Sequence, residues 1–104
     1  MSPGLLRLLT DNITLETYTS LDDYGTPHYA APITVPAFWD RSARLLRDST
    51  GQERMSQHRV FLDGIVTLDL RDKLTLPDGT TAPILRLDSL RDFRGAIDHH
   101  EVYC

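Results

Sequence analysis

The residues best suited to chemistry stand together near the end of the chain, as His99, His100 and Glu101. Imidazole and carboxylate groups bind zinc and transfer protons at neutral pH. Neighbouring residues of a strand point to opposite faces, so His99 and His100 cannot hold one ion side by side. His99 and Glu101 share a face, but two ligands do not complete a zinc site. We expect a structural or surface role for this cluster and no metal centre.

Nucleophilic catalysis and phosphate binding find no supporting motif. No nucleophile-elbow pattern surrounds any of four candidate serines, Ser42, Ser49, Ser56 and Ser89. The single cysteine, Cys104, lies at a chain end that we expect to be mobile. Gly64 and Gly79 are isolated turn residues, not parts of a glycine-rich phosphate loop. The sequence therefore predicts a protein that is not an enzyme and uses no cofactor.

Length and charge narrow the remaining classes. The 104 residues fit one domain with a single modest core. A formal net charge of −4 argues against tight nonspecific binding of a nucleic-acid backbone, but not against a channel wall past which DNA slides. One cysteine excludes an internal disulfide and fits a reducing compartment. No apolar run approaches the roughly 20 residues of a membrane-spanning helix, so we expect no membrane partner.

Alternation of apolar and polar residues, the period of a half-buried strand, predicts an all-β fold. The central stretch, residues 54–87, is divided by glycine-containing turns at 63–64 and 77–79. The predicted strands are Asn12–Tyr18, Ile33–Asp40, Ser42–Asp48, Arg54–Asp63 with its continuation to Leu70, Leu74–Leu76, Ile84–Leu87 and Ala96–Tyr103. About six short strands predict a small antiparallel β-barrel, because closure removes the edges that a small sheet would expose.

Three segments lack the strand period. Residues 1–10 are expected to form an N-terminal arm, extended or with one short helical turn, whose leucines need a partner surface, either the open end of the barrel or a neighbouring subunit. Residues 19–32 are rich in turn formers and make either a long loop or a loose hairpin around Tyr24. Residues 88–94 read as a polar connection before the last strand.

The segment after residue 41 reads as one long hairpin with its tip at residues 48–53. Its mixed charges indicate either a solvated hairpin or a protruding arm that pairs with neighbouring subunits. The charged residues are Arg41, Arg44, Arg47, Asp48, Glu53, Arg54 and Arg59. Pro36 cannot donate to a ladder and predicts an edge or a bulge there. The aromatic residues expected as core or loop anchors, with an interface role as the alternative for the two tyrosines, are Tyr24, Tyr29, Phe38 and Trp39.

The order of strands and turns resembles that of the small head-closure and head–tail joining proteins of tailed bacteriophages, also called minor capsid proteins. The segments that carry the resemblance are Asp11–Tyr18 (D-x-I-T-L-x-x-Y), the loop with Tyr24-Gly25 and Tyr29, Arg59–Gly64 (R-V-F-L-D-G), Asp72–Leu85 (D-K-L-T-L-P-D-G-x-x-x-P-I-L) and Asp92–Tyr103 (D-x-x-G-x-x-D-H-H-E-V-Y). Together they cover nearly the whole chain, and they match in layout rather than in catalytic residues.

The resemblance implies a β-barrel subunit of a ring, commonly twelvefold, between a portal with its adaptor above and a tail terminator or tail tube below. Such a ring lies in the virion neck, is assembled in the host cytoplasm, extends the DNA channel, helps to retain packaged DNA and docks the tail. The alternative is a tail terminator or another tail-completion ring protein, a class that more often mixes helices with the sheet.

The resemblance gives these loops roles by position only. Either residues 19–31 or residues 48–53 would line the channel or contact a neighbour. The candidate lumen or intersubunit residues are Asp48, Ser49, Thr50, Gly51, Gln52 and Glu53. The candidate contacts with the adaptor or with other subunits are Leu5, Leu6, Leu8, Leu9, Asp22, Asp23, Tyr24 and Tyr29.

Overall fold

The computed structural model describes residues 8–104, and within them the chain is all-β, as predicted, with no helix. The eleven strands of this part are β1 Asp11–Glu16, β2 Tyr18–Leu21, β3 Pro27–Tyr29, β4 Ile33–Asp40, β5 Arg44–Arg47, β6 Glu53–Ser56, β7 Arg59–Asp63, β8 Lys73–Thr75, β9 Thr81–Ala82, β10 Arg86–Arg91 and β11 Ile97–Tyr103. None of the described residues forms a helix long and apolar enough to cross a membrane.

Seven strands form one antiparallel sheet in the order β10-β11-β7-β4-β1-β8-β9, which we call the main sheet. It curls into a half-barrel, so the prediction of a barrel-like all-β fold is confirmed. Two short hairpins, β2–β3 and β5–β6, stand apart as two-stranded sheets. Both were inserted between strands of the main sheet, one after β1 and the other after β4.

The core lies on one face of the main sheet and follows the two-residue period of the strands. In β1, Ile13 and Leu15 are buried, whereas Asn12 is exposed. The buried apolar residues that form one contiguous cluster are Ile13, Leu15, Val35, Ala37, Val60, Leu62, Leu74, Leu76, Val102 and Cys104. Complete burial of a Leu, Ile or Val side chain contributes about 2 kcal/mol to folding, so β1, β4, β7 and β11 supply most of the stabilisation.

Strand direction assigns the connections of the main sheet to one of two ends, except residues 83–85, which join β9 to β10 and lead from one end to the other. At one end β1, β7 and β10 finish while β4, β8 and β11 begin, since neighbouring strands are antiparallel. The connections 17–32, 64–72 and 92–96 therefore leave from this end, which we call the tip end. The opposite end, with residues 41–58 and Cys104, is called the anchor end.

The predicted strand through Leu70 is wrong, because β7 ends at Asp63. At Gly64 the chain touches β11 so closely that a Cβ atom would lie 2.1 Å from the Ile97 carbonyl oxygen. The chain then leaves the sheet and Ile65 enters solvent. The apolar spacing continues for a different reason, since two later residues of this connection, Val66 and Leu68, pack against the core from outside any strand.

The predicted polar connection at 88–94 is also wrong, since residues 86–91 form β10 and pair with β11. The expected strand Ile84–Leu87 begins only at residue 86, as the start of β10. The strand that pairs with β8 is instead the two-residue strand β9. The long hairpin is divided in two. β5 pairs with β6, whereas β7 belongs to the main sheet.

Pro36 lies in β4, which is a central strand and not an edge of the main sheet. Pro36 pairs with Asn12 of β1, and pairing with β7 begins at the next residue, Ala37. At Pro36 the strand is therefore paired on one side only. The predicted edge exists at this residue but not for the strand as a whole.

Cys104 is buried and held in place, contrary to the expected mobile end. Its main-chain oxygen accepts from the N–H groups of Gln57 and His58, both across 2.9 Å, and from the Ser56 hydroxyl across 3.2 Å. Its own N–H donates to the His58 carbonyl across 3.0 Å. These bonds tie the anchor end to the base of the β5–β6 hairpin.

Candidate interaction surface

The three most exposed large apolar side chains of residues 8–104 lie at the tip end, one on each of its connections. Tyr24 is 94% exposed, Ile65 is 88% exposed and Phe93 is 95% exposed. Isolated apolar residues are common on protein surfaces, but three on the loops of one end form a candidate interaction surface. We call these three residues the tip residues.

Two of the tip residues, Tyr24 and Phe93, lie on turns of the same type. Each hairpin, β2–β3 and β10–β11, closes with the pattern D-x-x-G-x, from Asp22 and from Asp92. In both, the glycine N–H donates to the aspartate carbonyl across 3.0 Å, and the glycine has a positive φ, 78° at Gly25 and 84° at Gly95. This is a type I turn followed by a left-handed glycine, a common hairpin closure. This turn holds the side chains of the two residues between Asp and Gly on the solvent-exposed outside of the hairpin.

The tip of β2–β3 is rigid and acidic. The Asp22 carboxylate accepts from the N–H groups of Tyr24 and Thr26, each across 2.9 Å, and lies 3.2 Å from His28 Nε2. The Thr26 N–H and its partners lower the pKa of Asp22, so this carboxyl is ionised at neutral pH. With Asp23 beside it and no Lys or Arg between residues 17 and 32, this connection carries a formal charge of −2.

The tip of β10–β11 is rigid and basic. The Asp92 carboxylate accepts from the N–H groups of Arg94 and Ala96 across 2.8 and 3.2 Å. Arg91 donates from Nη1 to the Gly95 carbonyl across 2.7 Å, and the Arg94 guanidinium lies 5.6 Å from the centre of the Phe93 ring. Two arginines against one aspartate leave residues 91–96 with a formal charge of +1.

A buried carboxylate joins two of the tip-end connections. Asp72 is 6% exposed, and its two oxygens accept from the N–H of Tyr18 across 2.8 Å and from the N–H of Asp69 across 2.9 Å. The first bond holds the start of β2, and the second closes the loop before β8. Asp72 therefore positions the β2–β3 hairpin, and with it Tyr24, relative to the main sheet.

His100 likewise positions the connection that carries Ile65 relative to the main sheet. The buried ring lies 2.7 Å from the Val66 carbonyl through Nε2 and 2.8 Å from the Ser89 hydroxyl through Nδ1. A carbonyl only accepts, so Nε2 carries the hydrogen and, in the neutral ring, Nδ1 accepts from Ser89. This bond ties residues 64–72 to β11 and fixes where Ile65 stands.

The predicted geometry of the histidine cluster is confirmed: His99 and Glu101 share the outer face of β11, whereas His100 faces the core. His99 Nε2 lies 3.5 Å from the Glu101 carboxylate, and Nδ1 lies 2.8 Å from the Asp98 carboxylate. Among residues 8–104, no group of three or more His, Cys, Asp or Glu side chains is placed to hold a metal ion.

Cys104 is buried and is one of the residues that line a groove of about 430 Å³ at the anchor end. Burial raises the pKa of its thiol to about 11. The reactive form of cysteine is the thiolate, so at neutral pH Cys104 is a poor nucleophile and metal ligand. Its position gives it a packing role.

The candidate lumen or intersubunit loop, residues 48–53, lies at the tip of β5–β6 and uses the same D-x-x-G-x turn. The Asp48 carboxylate accepts from the Thr50 N–H across 2.9 Å, the Thr50 hydroxyl across 2.6 Å and the Gln52 N–H across 3.0 Å. The Thr50 hydroxyl is the main cause of a lowered pKa at Asp48. Ser49 donates from its N–H to the Leu85 carbonyl across 3.3 Å, so this tip contacts the segment before β10.

The N-terminal arm, predicted as residues 1–10, is described only in part. Leu5 and Leu6 lie outside the described residues. Leu8 is exposed and Leu9 is half-buried. A partner surface for these four leucines remains a prediction.

The remaining candidate contacts divide into two kinds. Asp22, Asp23 and Tyr24 form the tip of β2–β3, where Asp23 and Tyr24 are exposed and Asp22 is half-buried. Tyr29 is half-buried and packs edge-on against Tyr18, with ring centroids 6.3 Å apart. The structure thus separates Tyr29, which anchors the hairpin, from Tyr24, which the hairpin presents.

Sequence reasoning did not select Ile65 or Phe93. The signal for Phe93 was present, because it also stands between the Asp and the Gly of a D-x-x-G-x turn, directly after the Asp where Tyr24 directly precedes the Gly. Ile65 had no such signal. Its exposure follows from the close approach of Gly64 to β11, which only the folded chain reveals.

Comparison with known proteins gave no identification: no protein-family model matches this chain, and no curated protein matches it significantly.

Proposed function

We propose that this protein is a structural subunit of the neck of a tailed bacteriophage, a head-closure ring protein. In this role it extends the portal channel, helps to retain the packaged DNA and provides a surface on which the tail docks. The order of strands and turns along the sequence supports the proposal, as does the small all-β half-barrel with two inserted hairpins.

The observation that carries the proposal is the arrangement of the tip end. Three large apolar side chains stand on three connections that leave the same end of one sheet. Tyr24 and Phe93 stand on turns whose aspartate carboxylate accepts hydrogen bonds from the same turn. Asp72 and His100 hold the connections that carry Tyr24 and Ile65. Rigid apolar tips lose little conformational entropy on contact with another protein, and this favours assembly.

A ring would also explain how weak contacts hold the protein in place. Each subunit contact needs only modest affinity, because a portal platform presents several sites at once and raises the effective concentration of each next subunit. A tail terminator is the less well supported alternative, since that class more often mixes helices with the sheet and residues 8–104 contain only strands and loops.

Negative-stain electron microscopy of the purified protein, alone and after mixing with portal–adaptor complexes, tests the proposal. We expect free rings or an added layer of density at the neck. A monomer that adds no density to any neck would contradict the proposal.

Deletion of residues 48–53 tests whether the β5–β6 tip gates the channel. We expect a folded protein by circular dichroism and particles that lose DNA. If the deleted protein still gives fully infectious particles that retain DNA, the loop is not a gate.

A further inference from the structure

We propose that neighbouring copies of this chain contact each other tip to tip, with the β2–β3 tip of one copy against the β10–β11 tip of the next. The partner surface is therefore a second copy of the chain. This inference rests on the ring assembly proposed above and specifies its lateral contact.

The charges of the two tips are complementary. The β2–β3 connection carries −2 from Asp22 and Asp23, whereas residues 91–96 carry +1 from two arginines and one aspartate. Asp23 and Arg94 are both exposed, and each stands next to an exposed aromatic ring on its own tip. Complementary charges select partner and register. Like tips would repel each other, so the pairing is between unlike tips.

The aromatic side chains at the two tips complement each other as well. Tyr24 and Phe93 are almost fully exposed in the single chain, and a contact between tips would remove both from water. Arg94 already lies against the Phe93 ring at 5.6 Å and would come within reach of the tyrosine of the next copy. A guanidinium over an aromatic ring adds attraction when the pair is desolvated.

The two tips leave the same end of the main sheet from strands that are not neighbours: one tip joins β10 and β11, the other lies between β1 and β4, and β7 separates the two pairs. The β10–β11 tip is at the edge strand β10. The β2–β3 hairpin contacts the start of β8, where the Tyr18 N–H donates to Asp72 and the Lys73 ammonium lies 5.9 Å from the Tyr29 ring.

This placement decides the type of assembly. Copies placed side by side bring the unlike tips to the same height, because both project from one end. A contact between two different patches is heterologous, and repetition of it around an axis closes a ring. A twofold dimer would instead bring identical patches together.

Cysteine cross-linking distinguishes these geometries. In the variant that combines Asp23→Cys with Arg94→Cys, a short bifunctional thiol reagent should give a ladder of covalent dimers, trimers and larger oligomers. Each single variant should give no ladder, and an equal mixture of the two should stop at dimers. The combination of Asp23→Cys with Arg44→Cys, whose second site lies on β5 at the anchor end, is the matched control and should give no ladder.

The cross-linking is performed on whichever sample contains rings, the protein alone or the protein mixed with portal–adaptor complexes. Rings without a ladder would place the lateral contact elsewhere and overturn this inference, while the proposed ring function would stand. Absence of rings and of any self-association would overturn both.

Charge reversal gives an independent readout of the same contact. Asp23→Arg and Arg94→Asp should each weaken self-association roughly tenfold in sedimentation velocity, and the two together should restore it. Arg44→Asp should have no effect. Failure of the combined variant to recover, with both singles folded by circular dichroism, would contradict a direct contact between these residues.

Discussion

The two ends of the main sheet use their side chains in opposite ways. At the anchor end, the main chain of Cys104 makes four hydrogen bonds with Ser56, Gln57 and His58, and its thiol is buried. At the tip end the buried polar groups, Asp72 and His100, hold the connections, and the large apolar groups remain in solvent. The three most exposed apolar side chains, Tyr24, Ile65 and Phe93, therefore stand at the end whose loops are held by buried polar groups.

The hairpin turns make the same comparison at smaller scale. The tips that begin at Asp22, Asp48 and Asp92 share one backbone geometry, with the same hydrogen bonds from residues after the aspartate. The tip at Asp48 carries small polar residues, whereas the other two carry Tyr24 and Phe93. The backbone of these turns is therefore common to all three, and the residues between Asp and Gly determine which side chains each tip presents.

The largest expected effect separates two glycines of the tip end. Gly64→Ala should lower the free energy of unfolding by about 3 kcal/mol, because the new Cβ meets the Ile97 carbonyl and one of two backbones must move. Gly25→Ala has open space and should cost only about 1 kcal/mol, from its positive φ. Urea unfolding of both variants measures the difference. Equal losses would mean that the approach of Gly64 to β11 does not constrain the fold.

Asp72→Ala should lower the free energy of unfolding by about 2 kcal/mol, since the N–H groups of Tyr18 and Asp69 lose a buried charged acceptor. Asp78→Ala is the matched control, because that exposed carboxylate accepts from one N–H, at Thr80, and its loss should be smaller. Hydrogen exchange should show faster exchange at β2 and β3 in Asp72→Ala. Unchanged exchange there would contradict its role in positioning the hairpin.

The anchor end should weaken in alkali through Cys104. Burial raises the pKa of its thiol from 9.0 to about 11, so the unfolded chain loses this proton at a lower pH than the folded chain. Stability is therefore lost as the pH rises through the interval from about 9 to about 11. Urea unfolding of the wild type and of Cys104→Ala at several pH values isolates this part of the pH dependence. Identical alkaline slopes in the two proteins would contradict it.

The smallest effect on stability is expected at the tip residues. Tyr24→Ser and Phe93→Ser should each change the free energy of unfolding by less than about 0.5 kcal/mol, because both side chains are exposed. Both should nevertheless weaken self-association in sedimentation velocity. Leu45→Ser, at an exposed apolar residue of β5, is the control and should change neither quantity. An equal loss of association in Leu45→Ser would remove the distinction between the two ends.

The sequence predicted the strands whose inward residues are apolar. β1, β4 and β11 were found because residues such as Ile13, Val35 and Val102 alternate with polar neighbours. β10 was missed because it turns Ser89 toward the buried His100 and is held by its pairing with β11 rather than by an apolar stripe. The end of β7 was missed because the cause is a contact of Gly64 with a strand distant in sequence.

The candidate surface was predictable only in part. Tyr24 was among the predicted contacts, and the D-x-x-G-x pattern would have added Phe93. The grouping of these residues with Ile65 depends on strand direction in the main sheet, which local patterns do not determine.

Hydroxyl-radical footprinting of free and assembled protein tests most directly the claim that the tip end is the assembly surface. Tyr24, Phe93 and Met55 are all exposed and all react with the radical, so they report on both ends in one experiment. On assembly we expect Tyr24 and Phe93 to be protected and Met55, on β6 at the anchor end, to remain reactive. Protection of Met55 with continued reaction at Tyr24 and Phe93 would contradict the account.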